Sequence, residues 1–62
     1  MKLSYIGKGG YVIESSGYKM SFACLSLVLS WLTKIEGFER REAERRCRYA
    51  VIYYERKNQK LS

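Results

Sequence analysis

Glycine placement limits what this chain can become more than any other feature. Gly7, Gly9 and Gly10 fall between two short runs, Lys2 to Ile6 and Tyr11 to Glu14, rich in β-branched, aromatic and other apolar residues. Gly7-Lys8-Gly9-Gly10 supplies the positive φ angles that a tight hairpin needs. A second turn signal, Ser15-Ser16-Gly17, precedes Tyr18-Lys19-Met20-Ser21-Phe22, whose apolar/polar alternation is the period of a half-buried strand. The N-terminal third therefore predicts a β-hairpin, or a three-strand meander if the third run also pairs. Ser21 has the chemistry of a helix N-cap, with Met20 and Leu25 placed as a hydrophobic staple, so a helix is expected to start there.

Beyond Phe22 the hydrophobic period changes. At 100° per residue, Phe22, Cys24, Leu25, Leu27, Val28, Leu29, Trp31, Leu32 and Ile35 cover an arc of about 220°, with Ser26, Ser30, Thr33 and Lys34 on the remainder. One sheet face cannot cover so wide an arc. It calls for the following helix, a second subunit or lipid as well. Gly37 stands where a helix-ending glycine belongs. From Phe38 the spacing predicts a second helix to residue 57, with Ala43, Cys47, Ala50, Val51 and Tyr54 on one face and the i,i+4 pairs Glu42/Arg46 and Glu44/Arg48. The run Tyr-Ala-Val-Ile-Tyr-Tyr has high β-propensity, so a strand from Cys47 to Glu55 is the competing pattern. No Gly, Pro or Asn breaks the chain ahead of it, which favours the helix.

These elements make a single small α+β domain over residues 1–62: a hairpin or meander at 1–20, an apolar helix at 22–36, an Arg-rich helix at 38–57, and a frayed tail at 58–62. A chain of 62 residues buries only about 60% of the surface its unfolded form exposes, so its stability is marginal. Disulfides or a metal often reinforce such domains. With no His and no Asp, the residues suit a metal poorly, and no cofactor is expected. Cys24 and Cys47 read as two buried free thiols, with a structural disulfide as the alternative. Met1-Lys2 is followed by Leu-Ser-Tyr-Ile-Gly-Lys rather than an apolar leader, so a cytoplasmic chain is expected.

Catalysis needs His, paired acids, an activated nucleophile or a metal held in mutual reach. Glu14, Cys24 and Cys47 each stand alone in sequence, and Gly7-Lys8-Gly9-Gly10 lacks phosphate-loop spacing and leads into a strand. A non-enzymatic binding protein is the expectation.

The charge says more. Twelve Lys and Arg against six Glu give a formal +6, and all six arginines lie between Arg40 and Arg56. On the second helix Arg41, Arg45, Arg48, Ile52 and Arg56 fall within an arc of about 80°, with Tyr49 beside them, away from the predicted core face. Guanidinium forks pair with phosphate oxygens, and tyrosine offers a flat surface for a base or sugar. Arg41, Arg45, Arg48, Tyr49, Ile52 and Arg56 are therefore the candidate contact residues for nucleic acid.

Against this stands the solvated Arg/Glu-rich face, because Glu39, Glu42, Glu44 and Glu55 flank the stripe. Ile52 among charges points to a contact surface or else to the strand pattern, and six tyrosines in so short a chain favour interaction, although Tyr5, Tyr11 and Tyr18 suit cross-strand pairs in the sheet. The alternative partner is an acidic protein surface, as for an inhibitor or interaction module. Chains this small and basic are common among phage and mobile-element proteins. Met20 to Thr33 carries no charge but is shorter than a spanning helix and holds three serines, which favours a buried helix over a membrane anchor. The wide apolar arc predicts a homodimer.

Overall fold

The computed structural model describes residues 1–61 in backbone and 1–59 in side chain. Three antiparallel strands, β1 (Lys2–Gly7), β2 (Gly10–Ser15) and β3 (Tyr18–Phe22), form an open meander in the order β1-β2-β3. Two helices follow, α1 (Leu25–Lys34) and α2 (Arg40–Leu61). At 1.5 Å per residue α2 is about 33 Å long, so it sets the 37 Å long axis of a molecule only 17 Å thick.

Register fixes which side chains meet the helices. Leu3, Ile13 and Met20 stand in one cross-strand row, and Tyr5, Tyr11 and Phe22 in the next. These face inward, and Ile13 is fully buried. On the opposite face the rows are Lys2, Glu14, Lys19 and Ser4, Val12, Ser21, the polar-out pattern of a half-buried sheet but for Val12, which is buried. The core closes when Val28, Leu29 and Leu32 of α1 and Ala43 and Cys47 of α2 pack on Tyr11, Ile13 and Phe22. Each large aliphatic side chain buried there contributes about 1.5–3 kcal/mol.

The first turn carries more than a simple hairpin. Gly7, Lys8 and Gly9 all have positive φ, and the β1–β2 register shifts between Tyr5 and Gly7. Gly7 is doubly constrained: its φ is +89°, and a methyl on its Cα would lie 2.7 Å from the Tyr54 hydroxyl oxygen of α2. The α2 helix docks against the strand at this point, and only glycine fits.

Several boundaries differ from the sequence expectation. Phe22 pairs with Tyr11 and is buried on the sheet, which carries β3 two residues past 20 and leaves Ser21 in a strand rather than at an N-cap. The N-cap is Cys24, in extended conformation and without a side-chain cap hydrogen bond. Helix α1 thus spans Leu25–Lys34 rather than 22–36. It ends through Gly37, at φ +84°, with the Phe38 N–H donating to the Leu32 carbonyl at 3.0 Å.

The segment Cys47 to Glu55 is helical, because a helix places Ala43, Cys47 and Ala50 together in the core with Val51 and Tyr54 at its margin. Helix α2 starts at Arg40 rather than 38. It continues to Leu61, so the tail expected to fray from Asn58 is helical that far, while Ser62 lies outside the described residues.

Both thiols are free, but only Cys47 is buried. Cys24 is exposed because it is the hinge residue between β3 and α1, off the inner face of both. Its Sγ lies 3.3 Å from the Ser26 hydroxyl, which together with nearby backbone N–H groups draws its pKa below the usual thiol value. Burial first, and then the charge of Glu44, pushes the Cys47 thiol up to about 11. Among the described residues, no helix is long and apolar enough to cross a membrane.

Candidate functional site

Helix α2 shows two surfaces with different chemistry. Its inner side is small and apolar, set by Ala43, Cys47 and Ala50, which lets the helix approach both β1 and α1 closely. Its outer side carries all six predicted contact residues. Arg41, Arg45, Arg48, Tyr49, Ile52 and Arg56 are exposed on one uninterrupted helix. Tyr49 is 62% exposed, whereas Ile52 is only just exposed at 37%.

Ion pairing divides the cations. Glu42 accepts from Arg45 at 3.5 Å and from Arg46 at 3.3 Å, the second being the expected i,i+4 pair. The other expected pair, Glu44 with Arg48, does not form. Glu44 is taken by Arg40, one turn earlier, at 3.3 Å, and a carboxylate committed to that side is drawn away from the next turn. Arg41, Arg48 and Arg56 are consequently left without a carboxylate partner among the described residues. The pairs that do form are exposed and worth about 0–1 kcal/mol each, so a phosphate competing for those arginines meets little resistance. Arg46 is held twice over, since its guanidinium also lies 4.4 Å from the centre of the Phe38 ring.

Structure adds residues beyond the six candidates. Tyr53, one turn after Tyr49, is the more exposed of the two at 71%. Beside these rings the edge of β1 and the flank of α2 bound an open groove of about 590 Å³, lined by Lys2, Ser4, Tyr49, Tyr53, Tyr54 and Lys57 among others. Five consecutive residues, 1–5, line it, and β1 pairs on one side only, with β2. The groove floor is fixed. Tyr54 meets Tyr5 edge-on with centroids 5.1 Å apart, and the Tyr5 hydroxyl accepts a hydrogen bond from the Gly9 N–H at 2.9 Å. Spacing on α2 brings Tyr53 into view, but Lys2 and Ser4 join it only through the docking of β1.

Elsewhere the tyrosines serve the fold. Tyr5 and Tyr11 pack as a cross-strand pair at 5.1 Å, and Tyr18 meets the edge of Trp31 at 6.2 Å. The Tyr18 hydroxyl donates to Glu36 at 2.6 Å, and the Trp31 indole N–H donates to the same oxygen at 3.3 Å, which ties β3 to the end of α1. A second exposed patch lies on α1, where Leu27, Trp31 and Ile35 stand one turn apart beside Phe22, with Ser30 and Lys34 at the rim. Leu27 is 53% and Ile35 61% exposed, so the helices and sheet cover only part of the wide apolar arc.

No protein-family model, curated protein or solved structure matches this chain.

Proposed function

We propose that this is a non-enzymatic nucleic-acid-binding protein of regulatory type, which contacts phosphates through the outer face of α2. The observation that carries this is the set of guanidinium groups of Arg41, Arg48 and Arg56, without a carboxylate partner among the described residues and aligned on one exposed side of a long helix with Tyr49 next to them. Arg45 adds a fourth contact once phosphate replaces Glu42. The free thiols Cys24 and Cys47 suit a cytoplasmic setting. The protein acts as a homodimer, in which the exposed Leu27, Trp31 and Ile35 face of α1 is covered by a second copy.

Phosphate contacts release counterions, so the affinity for generic DNA or RNA falls linearly on a log–log plot against salt, with a slope of about −0.7 to −0.9 per phosphate. Three to four contacts give a slope of about −2 to −4. Fluorescence anisotropy at several salt concentrations measures it, and absence of binding at low salt refutes the proposal.

A second reading takes the same face as a docking surface for an acidic protein, as for an inhibitor. It draws on Ile52, exposed between the arginines, and on the exposed rings of Tyr49 and Tyr53. A pull-down that survives nuclease treatment and yields one stoichiometric protein favours this second reading.

A further inference from the structure

We infer that the groove between β1 and α2 receives the bases of a single-stranded nucleic acid, with Tyr49 and Tyr53 as stacking platforms; this rests on the phosphate-binding role of α2 proposed above. The chemistry of the groove is one-sided. Its cationic side chains are Lys2, Lys57 and Arg46, and no carboxylate side chain is among its described lining residues. Lys2 and Lys57 make no ion pair among the described residues, whereas Arg46 is held by Glu42.

The four tyrosines of the groove are also not equivalent. Tyr5 and Tyr54 are engaged with each other and with the first turn. Tyr49 and Tyr53 make no hydrogen bond or ring contact among the described residues and are the most exposed aromatic side chains there. An aromatic ring left in water beside a cationic groove has a π-face to offer, and every base has one to meet it.

The layout around α2 distinguishes the occupant. At 100° per residue, Arg41, Arg48 and Arg56 form one row along the helix, and Tyr49 and Tyr53 lie further round on the groove side, about 20–140° from those arginines and about 90° on average. A single strand has the same two-sided character, a phosphate edge and a base edge running side by side. In a duplex the base faces are stacked inside, so the tyrosine row would find nothing to stack on. An acidic peptide could pair with the free edge of β1, but it has no second row of groups to match the arginines beyond the tyrosines.

The test uses the full chain and a fluorescein-labelled mixed-sequence oligonucleotide, alone and annealed to its complement. The single strand is expected to bind about tenfold tighter than the duplex at equal salt. Tyr53→Ala and Tyr49→Ala should each weaken single-strand binding by about five- to tenfold, the scale of one stacked base, with the salt slope unchanged. Tyr53→Phe, which keeps the ring, should retain wild-type affinity. Arg48→Ala should instead lower the slope by about 0.7.

Equal affinity for single strand and duplex, or a silent Tyr53→Ala, overturns the groove assignment while leaving the α2 phosphate contacts standing. Loss of all salt-dependent binding removes both. A polyglutamate peptide that binds more tightly than the oligonucleotide, and whose binding Tyr53→Ala abolishes, overturns the inference in favour of a protein partner. Both rings are largely exposed, so circular dichroism of the variants should match the wild type.

Discussion

The two helices each leave one face uncovered, and the uncovered faces are chemically opposite. On α1 it is apolar, made by Leu27, Trp31 and Ile35. On α2 it is cationic and aromatic, made by Arg41, Arg48 and Arg56 with Tyr49 and Tyr53. Both helices pack against one sheet face of three short strands, too small to cover them fully. An apolar remainder gains by meeting another apolar surface, whereas arginines lose solvation unless an anion replaces water. The same shortage of sheet therefore leaves the two faces that the proposed second copy and the proposed polyanion would cover.

The largest effect tests what the helices share. Leu32 of α1 is fully buried against the core to which α2 contributes Ala43 and Cys47. Leu32→Ala should cost about 2–5 kcal/mol in urea unfolding, a large part of the total stability of so short a chain. An unchanged midpoint would mean that this seam does not hold the helices.

A smaller effect separates the buried side of α2 from its exposed one. The raised pKa of Cys47 favours the neutral thiol in the folded state. Its contribution is therefore complete below the ordinary thiol value of 9.0 and is lost as pH climbs toward about 11. The loss over that window is up to about 2 kcal/mol. Tyr11, whose hydroxyl burial also pushes upward, adds to it with the same sign. Urea unfolding at stepwise pH measures the decline, and Cys47→Ala should flatten it even though that variant is less stable throughout.

The smallest expected change in the fold comes from the exposed face of α1. At protein concentrations low enough for the wild type to dissociate, Leu27→Glu should leave helicity intact and shift unfolding by less than about 0.5 kcal/mol, whereas at higher ones the lost dimer contacts add to the shift. In sedimentation equilibrium it should run as a monomer where the wild type is expected to run as a dimer. A monomeric wild type would show that the apolar face of α1 needs no second copy, and the contrast between the helices would lose one side.

Much of the fold was legible because its signals are local. The glycine clusters gave two turns, the alternation in Tyr18 to Phe22 gave the third strand, and the spacing of Ala43, Cys47 and Ala50 gave the buried side of α2. The outer face followed from the same spacing, so the six candidate residues share it as expected. The misplaced features depend on competition between neighbours. Ser21 has the chemistry of a cap, but pairing of β3 with β2 through Phe22 and Tyr11 claimed it first. Glu44 had arginines within one turn on both sides, Arg40 and Arg48 among them, and took Arg40. Cys24 reads as a core residue on a helical wheel and becomes exposed because the helix begins only after it, at Leu25.

Sequence by itself determined the elements, their order and the chemistry of each helix face, since these repeat every two or about 3.6 residues and need no distant partner. Only tertiary structure decided where α2 lies along β1, with Tyr54 set against Gly7, and so which residues bound the groove. That docking joins residues some fifty positions apart, through loop closure and shape complementarity that no local period encodes.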